Sequence, residues 1–294
     1  MSRILWLKQC TFQETGEESL LPQSAYETLG LALNNYWDQY RTLLKACTTH
    51  STRSNVHNLR ITLRRLIASL DLIEGLVHFK KIRPLRNHFK DHLHLLRDVR
   101  DLQVQVASLR GLRKEEVLSE FRAYLLKKRR AEKKIVQKSL KKIKLRKLLT
   151  ELQEVRERLS FLTYDHLSEQ KAENLLGHAL KQEFNHLQSI AERVKISDPR
   201  TFHATRIQFK KYRYMSEVLE SILPLSVAAK KKMKPIQTIL GDIQDTVVMI
   251  QYLFSFLVDR GDTNPDSKFQ RFLLFQAERQ KTLMDTFKRY PITS

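Results

Sequence analysis

Cysteine, glycine and proline are all scarce in this 294-residue chain, which contains two, seven and seven of them. Cys10 and Cys47 are too few for a disulfide scaffold and lack zinc-ligand spacing, so a reducing, intracellular setting is expected. Sheet-rich chains need more turn residues than this, and Leu, Lys, Arg, Glu and Gln abound instead, which points to an all-α fold. Long apolar runs are also missing. Ile4 to Leu7 is too short for a secretory h-region, and nothing approaches the roughly 18 apolar residues of a membrane span, so the expectation is a soluble, cytoplasmic protein with no membrane partner. Acidic residues are the fourth shortage: 53 Lys plus Arg face 32 Asp plus Glu, a net charge of +21. Residues 110–147 alone hold 16 basic and 4 acidic side chains. Such a field favours anionic partners and speeds their capture, whereas solubility does not demand so one-sided a surface. Enzyme signatures are absent as well: there is no Gly-rich phosphate loop, no Gly-x-Ser-x-Gly and no His-Glu-x-x-His. No catalytic residue, cofactor or metal is expected.

What the chain does have is repetition. Val56-His57-Asn58-Leu59-Arg60-Ile61-Thr62-Leu63-Arg64-Arg65 returns 146 residues later as Phe202-His203-Ala204-Thr205-Arg206-Ile207-Gln208-Phe209-Lys210-Lys211, with its histidine and every cationic position kept. Leu96-Arg97-Asp98-Val99-Arg100-Asp101 matches Leu240-Gly241-Asp242-Ile243-Gln244-Asp245 at an offset of 144. Self-similarity of this kind predicts two copies of one helical unit. Repeat one spans about 23–147, a connecting segment about 148–168 and repeat two about 169–290, after an N-terminal tail over 1–22.

Apolar spacing at three and four residues predicts a first helix from about Gln23 to Thr49. A second, capped by Ser54 or Asn55, should run to about His78, a third from Pro84 to near Arg97, and a fourth from Asp98 to Leu109. A long basic helix follows over 113–147, with Leu148 to Leu162 extending it or folding back. In repeat two the predicted helices are Glu169 to Val194, Pro199 to about Leu223, Ser226 to Leu240, Asp242 to Asp259 and Ser267 to Tyr290. Either Ser197 or Asp198 should cap the second of these.

On the second helix His57, Arg60 and Arg64 share a face distinct from the stripe of Val56, Leu59, Leu63, Leu66, Leu70 and Ile73. In repeat two Arg206, Lys210 and Arg213 stack at i, i+4 and i+7, with Lys211 and Tyr214 beside them. Guanidinium groups offer paired planar donors and ammonium groups adaptable point charges, so a ladder of both follows a repeating phosphate without reading a base.

These residues resemble the CHAD family, the conserved histidine α-helical domain, through His-x-x-Arg-x-x-x-Arg/Lys-Arg/Lys, Arg-Tyr-x-x-Glu and Leu-Gly-x-x-x-Asp. The resemblance rests on His57, Arg60, Arg64, Arg65, Asp98 and Asp101, and on His203, Arg206, Lys210, Lys211, Arg213, Tyr214, Glu217, Leu240, Gly241, Asp242 and Asp245. It implies two pseudo-symmetric helical bundles enclosing a basic cleft that binds inorganic polyphosphate without catalysis. Family members occur alone or beside a triphosphate-hydrolysing CYTH domain, and some associate with polyphosphate granules. Without a Glu-x-Glu-x-Lys signature the binding role is expected to stand alone. Two departures stand out: Arg97 where the family has glycine, and Gln244 where it has arginine.

The expected polyphosphate-binding set is His57, Arg60, Arg64, Arg65, His203, Arg206, Lys210, Lys211 and Arg213. The Asp98/Asp101 and Asp242/Asp245 pairs should complement helix dipoles and orient neighbouring cations. For both histidines, phosphate contact or pairing with Asp101 and Asp245 is expected rather than metal ligation. His88 and His92 with Asp91, and the single Glu183-x-x-His186, are expected to be ordinary surface residues. The alternative partner is nucleic acid, bound without sequence specificity through Lys127-Lys128-Arg129-Arg130 and Lys141-Lys142-Ile143-Lys144, although no recognition module accompanies these clusters.

Overall fold

Short polar side chains open five of the described helices, each accepting a hydrogen bond from an otherwise unpaired backbone N–H. Ser24 accepts from Tyr26, Thr52 from Asn55, Asp198 from Arg200, Ser226 from Ala229 and Ser267 from Gln270. Pro199 takes the first helical position after Asp198, where its missing N–H costs nothing. The computed structural model describes residues 24–77, 79–109, 117–164, 169–264 and 267–290. Every regular element among them is an α-helix. In chain order these are α1 (Ala25–Thr49), α2 (Arg53–Leu76), α3 (Ile82–Leu95), α4 (Arg97–Ser108) and α5 (Val117–Leu140), then α6 (Leu145–Tyr164), α7 (Glu169–Glu192), α8 (Pro199–Val218), α9 (Val227–Arg260) and α10 (Lys268–Lys288). The tail over 1–22 and residues 165–168 of the expected connecting segment lie outside the described residues, and the rest of that segment is helical in α6. None of the described helices is long and apolar enough to cross a membrane.

α2 is the hub, packing against α1, α3, α7 and α8. Its stripe of Val56, Leu59, Leu63, Leu66, Leu70 and Ile73 is wholly buried in the main core with Leu29, Leu33, Tyr40 and Phe89. Each such side chain contributes about 1.5–3 kcal/mol of burial, so the orientation of α2 about its own axis is fixed by apolar packing. α8 answers with Phe202, Phe209, Tyr212 and Met215. A second cluster, built on Phe121, Leu125, Leu253, Phe256 and Phe269, ties α4 and α5 to the far ends of α9 and α10.

Several boundaries differ from the sequence-based expectation, including the end of α8 at Val218 rather than about Leu223 and the start of α3 at Ile82 rather than Pro84. Thr52 rather than Ser54 or Asn55 caps α2; Asn55 already lies in the first turn, where its amide donates 2.8 Å back to the His50 carbonyl. The expected 113–147 helix ends at Leu140, and a turn over 141–144 lets α6 fold back onto α1. The expected break at Gly241 is absent, and α9 runs unbroken for 34 residues with Pro235 inside it. Glycine is the usual helix terminator, but here the buried face continues from Ile239, Leu240 and Ile243 in the main core to Met249 and Leu253 in the second cluster. Burial at both ends outweighs the roughly 1 kcal/mol that glycine costs a helix interior.

A Cβ added at Gly241 would meet nothing within 4 Å. Gly241→Ala is therefore expected to stabilise the protein by about 0.5–1 kcal/mol in chemical denaturation. No gain, or a loss, would mean that the chain breaks at this point.

Candidate functional site

With its apolar stripe committed to the core, α2 turns Arg60 and Arg64 toward α8, and α8 returns Arg206, Lys210 and Arg213. The helices pack directly on each other, so two rows far apart in sequence become one cluster. The Arg64 guanidinium lies 5.9 Å from the centre of the Tyr214 ring, and Arg213 lies 4.4 Å from the same ring. Burial, followed by repulsion from Arg64, Arg206, Arg60 and Arg213, drives the Lys210 ammonium down to about 5. Burial and then Arg64 bring Arg60 down to about 9 and also depress Arg206.

Asp101 on α4 and Asp245 on α9 supply the counter-charge. Burial pushes both carboxyls up; Arg60 and Arg206 pull Asp101 back, and Arg206 does the same for Asp245. Compensation is incomplete. Arg64 and Lys210 form no ion pair among the described residues, Arg60 donates 2.9 Å to the Leu93 carbonyl, and the buried Arg206 Nε has no hydrogen-bond partner. Buried cations in this condition call for an external acceptor.

Arg65 and Lys211, expected in the same row, are engaged by acids instead. Arg65 Nε reaches Glu217 at 3.1 Å while its guanidinium covers Tyr36, and Lys211 pairs with Glu183. Lys211 also acts on Asp71, the counterpart of Glu217 at the 146-residue offset. Arg65 thus ties α2 to α8 and Lys211 ties α8 to α7, while the inner cations gather between α2 and α8.

The histidines depart from the expected carboxylate pairing. His203 Nδ1 hydrogen-bonds Gln244 Oε1, and His57 is exposed among arginines. Burial and then Arg100, Arg64, Arg53 and Arg60 hold the His57 ring below its ordinary range. Asp98 is exposed and, like Asp242, acts mainly as a like charge that lifts its i+3 partner. Sequence reasoning missed Arg100, which approaches Asp245 and Asp101 and donates 3.3 Å to the Arg53 carbonyl. Its alignment with Gln244 was the available signal. Tyr214, quoted only as part of a pattern, proves to be the platform shared by two arginines.

No group of three His, Cys, Asp or Glu side chains placed to hold a metal occurs among the described residues. His92 Nδ1 meets the Tyr40 hydroxyl at 3.0 Å, and burial lowers this histidine to about 4. Lys127 and Arg130 on α5 stand exposed, and Lys128 lies 4.6 Å over the Tyr124 ring, away from the inner rows.

The family model described as CHAD domain matches residues 32–253. The chain belongs to the CHAD family. Its fold is similar to the crystal structure of the CHAD domain from the plant Ricinus communis, with a TM-score of 0.72 at 20% identity over 94% of each chain. It is also similar to PptA from Streptomyces chartreusis, with a TM-score of 0.59 at 11% identity over 90% of this chain and 96% of the other. No curated protein matches in sequence. At these identities the structural matches speak for the CHAD fold alone.

Lys210 and His57 are held below their ordinary pKa values by burial and cations, so a polyanion in the cleft must raise both. Binding at pH 7 is therefore expected to take up protons, about one of them at Lys210. Below about pH 5 Lys210 is already protonated and contributes no uptake. Calorimetry in buffers of different ionisation enthalpy measures the uptake directly. In Lys210→Arg, which keeps the charge but does not titrate, that proton should disappear.

Proposed function

We propose that this CHAD protein binds inorganic polyphosphate in the cleft between α2 and α8, as a non-enzymatic binding or granule-targeting module of the cytoplasm. The observation that carries this is the cluster of Arg60, Arg64, Arg206, Lys210 and Arg213, drawn from two helices and only partly neutralised by Asp101 and Asp245 and, at Arg213, by Glu217 3.5 Å away. A linear phosphate chain supplies the missing negative charge at short, regular intervals and is thin enough to reach half-buried donors. Its many contacts add by multivalency, which a single orthophosphate cannot exploit. The inner position of the rows favours such a chain over a nucleic acid duplex, whose phosphates are fixed on a wide cylinder.

The same proposal takes the chain as an internal duplication. Arg65 pairs with Glu217, and Lys211 lowers Asp71 electrostatically, at positions related by the 146-residue offset. Both halves then serve a single ligand.

Calorimetry should show much tighter binding of long-chain polyphosphate than of orthophosphate, with the logarithm of affinity falling linearly with the logarithm of salt. Replacing Arg60, Arg64, Arg206 and Lys210 by Gln should flatten that slope by roughly three units, on the scale of counterion release from nucleic acids. Gln at Lys127, Lys128, Arg129 and Arg130 should flatten it less, with both variants checked for folding by circular dichroism. Equal affinity per molecule for orthophosphate and the long chain overturns the proposal. A larger loss in the α5 variant moves the site to α5 and favours nucleic acid as the ligand.

A further inference from the structure

A second concentration of polar groups surrounds the start of α2, where α1 passes into it through residues 50–52. Gln137 of α5 donates 2.9 Å to the Thr49 carbonyl, which fixes α5 against that junction. Arg129 and Lys133 lie two turns and one turn before Gln137 on the same helix face, so both are carried toward the first turn of α2. From α4, Gln103 donates 3.2 Å to the Ser51 carbonyl. With Ser51, Thr52 and Arg53 these side chains line a cavity of about 280 Å³. Among the described residues no acidic or aromatic side chain joins them, and the rest of the lining is aliphatic.

The walls of this cavity are not satisfied from within. Thr52 Oγ1 takes the Asn55 N–H at 3.1 Å, but the N–H groups of Arg53 and Ser54, which open a 24-residue helix, find no acceptor among the described residues. Bare donors at the positive end of a helix dipole, with Arg53, Arg129 and Lys133 beside them, favour a phosphate group. Gln103 asks for the opposite kind of contact. It is only 6% exposed and its Oε1 has no hydrogen-bond partner, so what it needs is a donor.

We propose that this cavity binds a small phosphorylated polyol of the sugar-phosphate class, at a site separate from the cation cluster between α2 and α8. The phosphate lies on the first turn of α2 among Arg53, Arg129 and Lys133, and a hydroxyl of the polyol donates to Gln103 Oε1. Size agrees with this ligand. Pockets for small molecules begin near about 300 Å³, so the cavity holds more than a bare anion and suits a compact metabolite. A lining without an aromatic ring offers a nucleobase nothing to stack on, whereas its amide and hydroxyl groups match a polyol. None of these residues belongs to the inner rows, so the site does not depend on the polyphosphate reading.

The test uses the full chain at pH 7 and physiological salt, with glucose 6-phosphate, orthophosphate and glucose as calorimetric probes. Glucose 6-phosphate should bind on the order of ten-fold more tightly than orthophosphate, because it alone brings both the anion and the hydroxyl donors. Glucose should not bind. Arg129→Gln with Lys133→Gln should weaken glucose 6-phosphate at least about ten-fold, and Gln103→Met should bring it down to the orthophosphate level. Arg60→Gln with Arg64→Gln should leave it unchanged. Circular dichroism checks each variant, and the α5 pair alone decides the matter if the buried Gln103→Met does not fold. Absence of glucose 6-phosphate binding overturns the proposal, and so does equal affinity for orthophosphate, since the cavity then takes any anion. Loss in the Arg60 and Arg64 variant with none in the α5 variant overturns it as well, because the sugar phosphate then sits in the cation cluster. Each of these results leaves the polyphosphate reading to its own salt-slope measurement.

Discussion

The structure depends on one constraint: five basic side chains, Arg60, Arg64, Arg206, Lys210 and Arg213, are held together on the inner faces of α2 and α8 against Asp101, Asp245 and, at Arg213, Glu217. Like charges at such proximity resist assembly, and each loses hydration on burial. The depressed Lys210 and Arg60 register that strain. It is tolerated because the opposite face of α2 is an unbroken apolar stripe whose burial leaves the cationic face only one direction to point. The core thus decides the electrostatics of the cleft, and stability and ligand demand become two consequences of one helix orientation.

The second support is the pairing of the outer cations. Arg65 with Glu217 joins α2 to α8, and Lys211 with Glu183 joins α8 to α7. Each pair is partly exposed, so its net worth is modest, yet each keeps a carboxylate beside the cleft rather than inside it. Had Glu217 and Glu183 reached Lys210 or Arg64, the inner row would be neutral and nothing would call for an outside anion. Glu217 and Glu183 thus serve Arg65, Arg213 and Lys211, while Arg64 and Lys210 keep no ion pair among the described residues.

Much of this was legible in the sequence, for reasons that depend on period and repetition. The stripe from Val56 to Ile73 follows the helical period, so the face left for Arg60 and Arg64 could be read directly. The second row followed from the 146-residue repeat. What failed was local punctuation and partner choice. Gly241 looked like a terminator because a glycine's preference is local, whereas the packing of Leu240 and Leu253 into two separate clusters is not. Arg65 and Lys211 looked equivalent to Arg64 and Lys210, because adjacent positions in one-dimensional text do not reveal that a carboxylate from another helix meets only one of them. The expected pairing of His57 and His203 with aspartates failed for the same reason.

The two ends of the cleft are not alike, and the difference traces to one aligned pair. In the second half, position 244 is Gln, and its amide oxygen takes the His203 Nδ1–H, so that end is capped by a neutral contact. In the first half the aligned residue is Arg100, whose guanidinium stands near His57 and Arg53. Arg53 in turn lines a cavity of about 280 Å³ with Thr52, Gln103, Arg129 and Lys133. The N-terminus of α2 opens at Thr52 and adds its partial positive charge on that side. The two aligned positions therefore differ in charge, with a guanidinium at 100 and a neutral amide at 244. Arg129 and Lys133 of α5 share that cavity with Arg53, so the basic excess of α5 lies on the Arg100 side of the cation cluster.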